Sequence, residues 1–291
     1  MKPAALMTQG LDISYDNLRN CIYVAPLRFE QLMKTSHLNP QIPSARPHFV
    51  VLDGLRGVAA LAIVVFHFME WVITDFSKNF IGHGFLAVDF FFCLSGFVIA
   101  YAYDHRIGSM GLVKFFKARL VRLHPLVILG SVLGLIAFLL DPFEAPPAVY
   151  DAGKILLIFV CSILLIPYPV MQDRAFNLFG LNAPSWSLFW EYVANIFYAL
   201  ILNRLPRPLL VVLAIVAAGG IIWVSNSAGN LLGGWSKDNF WHGGARIAYS
   251  FLAGMLIYRY NLIIQNKLGF ALLTLILSLA FLMPYAGWNW L

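Results

Sequence analysis

Charge is what this chain has least of. Only 12% of its 291 residues are charged, whereas 60% are hydrophobic; a soluble domain carries about a quarter charged residues. An ordinary soluble globule is thereby excluded, and a mean hydropathy of +0.75 places the chain among polytopic membrane proteins. Cysteine is scarce as well. Cys21, Cys93 and Cys161 are odd in number and lack paired spacing, so neither a disulfide framework nor a zinc or other metal site follows. The secretory pattern of basic start, apolar run and small-residue cleavage site is missing, as are internal repeats and low-complexity tracts. The formal charge of +6 does not point to nucleic acid, because the basic residues gather in short loops beside apolar runs, as cytoplasmic loops do.

Long apolar runs are what remains. They predict an all-α polytopic membrane protein, a bundle of about eight transmembrane helices of roughly 20 residues each. The runs fall at 49–72, 85–103, 124–140, 155–170, 186–203, 208–224, 246–260 and 268–284. Residues 1–48, with Pro40, Pro43 and Pro47 near their end, read as a loosely ordered cytoplasmic tail ahead of a membrane domain over 49–291. The loop Asp104–His124 holds Arg106, Lys114, Lys117, Arg119 and Arg122, the strongest inside marker. Strict alternation from there would put Arg204, Arg207 and Arg259 outside. The run 155–170 ends in Pro167-Tyr-Pro169 and is short for a span. If it is re-entrant, or if a short crossing hides in 171–185, the later basic clusters fall inside. Gly130 and Gly134 are spaced for close helix approach, and Tyr285, Trp288 and Trp290 suit an interfacial belt.

Four groups carry the chemistry, because an ionisable residue inside a spanning helix is a functional candidate by default. First, Arg56 and His67 stand eleven residues apart. They share one helical stripe, offset by about 20° and separated by roughly 16 Å along the axis; a ligand touching both is long. Asp53 could neutralise Arg56 at i,i+3. Second, the stretch from His83 through Asp89 to Ser95-Gly96 holds a carboxylate deep in an apolar run. Asp89 either orients a catalytic histidine or bonds structurally to a neighbouring helix, and Ser95-Gly96 either binds substrate or permits tight packing. Third, Arg119 and Arg122 are three apart, a pair suited to phosphate or to anionic-lipid anchoring. Fourth, Trp186, Ser187 and Glu191 follow Pro184. Ser187 and Glu191 share a face at i,i+4, where a buried glutamate could transfer protons, or Ser187 could cap the helix.

Taken in order, these groups resemble acyltransferase family 3, the OafA-type membrane O-acyltransferases. The resemblance runs through Leu52-Asp-Gly-Leu-Arg56 with His67, Val88-Asp89-Phe-Phe-Phe-Cys-Leu-Ser95-Gly96-Phe97, Phe115-Phe-x-x-Arg119-x-x-Arg122-x-x-Pro125 and Trp186-Ser187-Leu-x-x-Glu191. Arg246 followed by Phe251-Leu-Ala-Gly254-Met-Leu-Ile-Tyr258 is a weaker match. It implies transfer of an acyl group, commonly acetyl, from acyl-CoA to a hydroxyl of an envelope or exported carbohydrate or another acceptor, in the inner membrane. Acyl-CoA is then a donor substrate and no bound cofactor is expected. Carried over residue by residue, Arg56 and His67 match the family's Arg/His pair, and Ser187 with Glu191 its later Ser/Glu motif. The chain is expected to end short of the family's final helices. On this view the donor's phosphates dock near Arg119 and Arg122, its thioester reaches His67, and His67 acts as general base or transient acyl carrier. Asp89 or Glu191 holds the imidazole or the acceptor, and Trp186 stacks on a sugar, with His83 and Ser95 nearby. The rival reading is a proton-coupled transporter with His67, Asp89 and Glu191 as its relay.

Overall fold

A computed structural model describes residues 49–73, 75, 78–142, 149–264 and 268–284. The expected tail 1–48 and the aromatic cluster Tyr285, Trp288 and Trp290 lie outside them. The described residues form nine α-helices: α1 (Val50–Val72), α2 (Leu86–Tyr103), the single turn α3 (Ile107–Met110), α4 (Leu112–Leu139), α5 (Ala152–Ile163), α6 (Ser185–Leu200), α7 (Arg207–Ala228), α8 (Phe240–Arg259) and α9 (Gly269–Phe281). No sheet is present among the described residues; Asn177 and Ser236 make an isolated bridge. In hydrocarbon, helices satisfy their own backbone groups, so apolar runs of this length fold as helices. Four of them, α1, α2, α4 and α7, are long and apolar enough to cross a membrane. The described residues are therefore all-helical, with several apolar helices as a multi-pass membrane protein has, and four of the expected eight runs are long spans among them.

Local signals set several boundaries. The Asp151 side chain caps α5 by accepting from the Lys154 amide at 2.8 Å. Prolines 206 and 208 open α7, and Gly229, with φ 68°, ends it; a fixed φ suits the first turn and a left-handed residue suits the stop. The basic stretch read as a loop up to His124 is helical from Leu112 onward, and Pro125 lies inside α4. The proline's missing donor does not end the helix there, as is common in membrane helices, where local adjustments compensate.

Contacts show which ends lie together. Phe49, at the start of α1, packs edge-on against Phe97 and Tyr101 near the end of α2. Arg259, closing α8, pairs with Asp104 just past α2, and the Tyr198 hydroxyl of α6 donates to the same carboxylate. One end of the bundle thus gathers the ends of α2, α6 and α8. It carries Arg106, Lys114, Arg204, Arg207 and Arg259, the later basic residues standing with the earlier ones.

The segment 155–170 explains why. Helix α5 has 12 residues, about 18 Å of length, too short for a hydrocarbon core of roughly 30 Å. It starts beside the far end of α4, where Phe138 meets Tyr150. It descends until Ser162 and Ser131 share a hydrogen bond of 2.9 Å. The chain then comes back up, since the Leu178 amide donates to Trp235 in the loop joining α7 to α8. The close approach at Gly130 and Gly134 is made by this returning segment rather than by a helix: a Cβ on Gly134 would collide with the Leu181 carbonyl, one on Gly130 with the Asn182 amide.

The centre is the parallel pair α2 and α8. At their crossing a Cβ on Gly96 would strike the Phe251 carbonyl, and one on Gly254 the Cys93 carbonyl. Two missing side chains let two backbones touch. Around this seam lies a core including Phe92, Phe115, Trp186, Trp190, Tyr198 and Met255.

Candidate active site

The structure sorts the ionisable groups expected in the site into three separate clusters. The first is on α1. The His67 Nδ1 lies 2.5 Å from Oε2 of Glu70, with side-chain exposures of 53% and 32%, so the imidazole is open rather than sealed in the core. A carboxylate can only accept, so this contact calls for a proton on Nδ1 and leaves Nε2 facing away from Glu70. Phe66, the neighbour of His67, is buried against Gly84 and fixes the rotation of α1 at this level. Glu70 was not among the expected residues, although its i,i+3 spacing from His67 is itself a readable signal. Arg56, further down α1, pairs with Asp53 at 2.8 Å, the neutralising arrangement that spacing allowed.

The second cluster holds Asp89. Arg246, 1% exposed, donates from Nε to Oδ1 at 3.1 Å and from Nη2 to Oδ2 at 2.7 Å. It also donates to the carbonyls of Gly233 and Phe85, each at 3.0 Å. Asp89 is therefore held by a guanidinium on the neighbouring helix and does not orient His67. Trp186 belongs here as well: its ring lies 5.2 Å from the Arg246 guanidinium and edge-on to Phe92. Buried in that way, it supports the ion pair and offers no open face to a sugar. His83 is buried, its Nδ1 at 2.7 Å from the Met283 carbonyl, where it ties the start of α2 to the end of α9.

The third cluster joins α2, α4 and α6. Oε1 of Glu191 accepts from Arg119 Nη2 at 2.7 Å and from the Ser95 hydroxyl at 2.8 Å. Arg119 is 3% exposed, so it does not stand beside the exposed Arg122 as a free phosphate clamp; one turns inward and the other outward. Ser187 does not join Glu191 despite sharing its face. Its hydroxyl donates to the Pro184 carbonyl at 3.0 Å, and Ser95 supplies the serine to Glu191 instead. Three buried polar atoms near this cluster have no hydrogen-bond partner among the described residues: Arg119 Nε, the Tyr192 hydroxyl and His124 Nδ1, with the last two rings 6.3 Å apart. Buried polar atoms are normally satisfied, so these three stand out beside the Glu191 cluster. A relay of His67, Asp89 and Glu191 finds its members in three clusters, each with its own partner. Among the described residues no group of three or more His, Cys, Asp or Glu could hold a metal ion.

Comparison with known proteins identifies the family. The family model described as an acyltransferase domain, of the acyltransferase 3 type, matches residues 49–291. The chain belongs to that family and is an acyltransferase. "Protein 2 in picA locus" of Rhizobium radiobacter is 38% identical over 160 residues, 52% of this chain and 81% of that protein. A Staphylococcus aureus (strain COL) protein provisionally named an O-acetyltransferase is 32% identical over 158 residues, 53% of this chain and 24% of that protein. Acyltransferase MdmB of Streptomyces mycarofaciens is 31% identical over 149 residues, 48% of this chain and 36% of that protein. The matched region thus spans about a quarter to a third of the relatives named for acyl transfer. No solved structure matches.

Proposed function

We propose that this chain transfers an acyl group, most simply acetyl, from acyl-CoA to a hydroxyl on an envelope carbohydrate or another exported acceptor. The observation that carries this reading is the His67–Glu70 pair at 2.5 Å, on an exposed stretch of α1 in a member of an acyltransferase family. Glu70 holds Nδ1–H and so fixes the tautomer in which Nε2 accepts, the role a carboxylate plays beside a catalytic imidazole. As the acceptor oxygen attacks the thioester carbonyl, its proton passes to Nε2. The C–O bond forms, the C–S bond breaks, and the departing thiolate takes the proton back from the imidazolium. The nearby carboxylate favours that transient cation.

Placement supports the same direction of traffic. The basic end would face the cytoplasm of an inner membrane by the positive-inside rule, with α1 starting there and the N-terminus on that side. His67 is 17 positions beyond Val50, about 25 Å along α1, so a donor entering from the basic end must be a long molecule. Acyl-CoA is one, and it is a substrate rather than a resident cofactor. Arg56 lies on that stripe. Glu191, Ser95 and Arg119 would brace the helices around the passage.

The test is transfer of radiolabelled acetyl from acetyl-CoA to a surface glycan by the purified full chain in nanodiscs. Losing a general base costs about 10²–10⁴-fold, and His67→Ala should lose at least the lower figure. Undiminished transfer by that variant would end the reading. Omitting the acceptor separates the routes: label retained on His67 indicates an acyl-imidazole intermediate, and none indicates direct attack.

A further inference from the structure

The basic end holds a cavity of about 490 Å³ lined by Asp104, His105, Asn203, Arg207, Tyr258 and Arg259 among others. None of these belongs to the three clusters described above. Its size falls within the range of roughly 300–1,000 Å³ usual for small-molecule sites.

One wall is rigid. Arg259 grips Asp104 through Nε at 2.8 Å and Nη2 at 3.1 Å, and donates to the Leu205 carbonyl at 3.0 Å. Asn203 Nδ2 donates to the carbonyls of Tyr198 and Ala199 at 2.7 and 2.6 Å. Asp104 and Arg259 cancel each other's charge, so neither gives the cavity its sign. On this fixed wall three groups stand open: the Arg207 guanidinium, the His105 imidazole and the Tyr258 hydroxyl. None hydrogen-bonds to a described residue, and the Arg207 guanidinium carbon lies 5.7 Å from the Tyr260 ring centroid. Arg207 is exposed and pairs with no carboxylate among the described residues. The uncompensated charge is positive, and an unused guanidinium fork matches the oxygens of a phosphate.

We propose that this cavity binds a phosphate ester. Two sources of that chemistry reach this level of the bundle, the nucleotide end of a coenzyme A thioester and the headgroup of an anionic phospholipid. The nucleotide source rests on the acyl-transfer reading; the phosphate site does not. A nucleotide seated here would anchor the donor's far end at the membrane face, leaving its arm free to extend among the helices.

Adenosine 3′,5′-bisphosphate, which carries no acyl group, is the probe, titrated calorimetrically into the full chain in phosphatidylcholine nanodiscs. The wild type should bind it saturably. Arg207→Gln, at an exposed position where folding is not at stake, should weaken it by about tenfold or more, since a bond to a charged group carries at least that factor. His105→Gln should weaken it less, and Lys117→Gln, outside the cavity lining, should leave the affinity within about twofold. Repeating the titration in phosphatidylglycerol nanodiscs separates the sources. Loss of bisphosphate binding there, dependent on Arg207, assigns the headgroup as occupant and still supports the site. No binding by the wild type in either lipid, or binding indifferent to Arg207, overturns the proposal. Because the probe does not react, failure of acetyl transfer in the His67 experiment would leave this result readable.

Discussion

The Asp89–Arg246 pair is the sharpest place to test the structure. Arg246 is 1% exposed and spends four hydrogen bonds there: two on Asp89, at 3.1 and 2.7 Å, and one each on the Gly233 and Phe85 carbonyls. Replacing Asp89 with Ala removes the only carboxylate bonded to that guanidinium among the described residues and leaves a buried cation facing neutral carbonyls. Two bonds to a charged group contribute about 3–6 kcal/mol together, and breaking a buried pair from one side costs about 3–5 kcal/mol; we expect a loss near 4 kcal/mol by these two routes. Arg246→Met should cost a similar amount, because Asp89 is then stranded and the Gly233 loop loses its tether. The double variant Asp89→Leu, Arg246→Met strands no charge. It should recover most of the loss, remaining about 1–2 kcal/mol below wild type for the two carbonyl bonds it forgoes. Reversible unfolding in mixed micelles, followed by tryptophan fluorescence, gives the double-mutant cycle, and the coupling should reach at least about 2 kcal/mol. A single-variant loss under about 1 kcal/mol, or losses that simply add, would show that the guanidinium is solvated or paired elsewhere.

Other outcomes follow from the same contacts. Gly254→Ala places a methyl against the Cys93 carbonyl and should cost about 1–3 kcal/mol or more by overpacking, whereas Gly57→Ala, with open space around it, should cost nothing measurable in the same unfolding assay. Glu70→Gln keeps the volume but lets the imidazole choose the wrong tautomer. Turnover of acetyl transfer should fall, by up to about 10⁴-fold as when the carboxylate beside a catalytic histidine becomes an amide, with KM nearly unchanged; a KM effect alone would contradict the role. Ser95→Ala removes a 2.8 Å bond to the Glu191 carboxylate and should cost about 1.5–3 kcal/mol, measured by thermal unfolding. Tyr150, outside the spans, donates to Asp173, and burial with that carboxylate pushes its phenol up to about 12. The folded state then holds its proton where an unfolded tyrosine, near pH 10, has lost it. Stability from this contact is complete below pH 10 and declines as pH rises toward 12, a slope that Tyr150→Phe should abolish.

Much of the site was legible as residues and little of it as partnerships. The Arg56–Asp53 pair followed from spacing alone, because both lie one turn apart on the same helix. Glu70 obeys the same rule beside His67, one turn further along α1. Arg246 sat in an apolar run as plainly as Asp89 did, and the cost of a membrane charge applied to both equally. The run 155–170 announced a short helix through its prolines, and α5 has 12 residues. By contrast, nothing local distinguished Arg119, turned inward to Glu191, from Arg122, turned outward three residues later. Ser187 and Glu191 share a face without touching, while Ser95, 96 positions away in sequence, makes the bond.

The sequence by itself determined that the chain lives in a membrane, that it spans it as helices, and which few charged groups deserve an explanation. Scarce charge and long apolar runs leave the backbone no other way to satisfy its hydrogen bonds. Only the tertiary structure decided which charge answers which: Asp89 with Arg246 across 157 positions, Glu191 with Arg119 across 72, Asp104 with Arg259 across 155. Helical periodicity tells a residue which side of its own helix it occupies. It does not say which other helix covers that side, and in a low-dielectric interior that neighbour settles whether a charged group is neutralised in place or left open for chemistry.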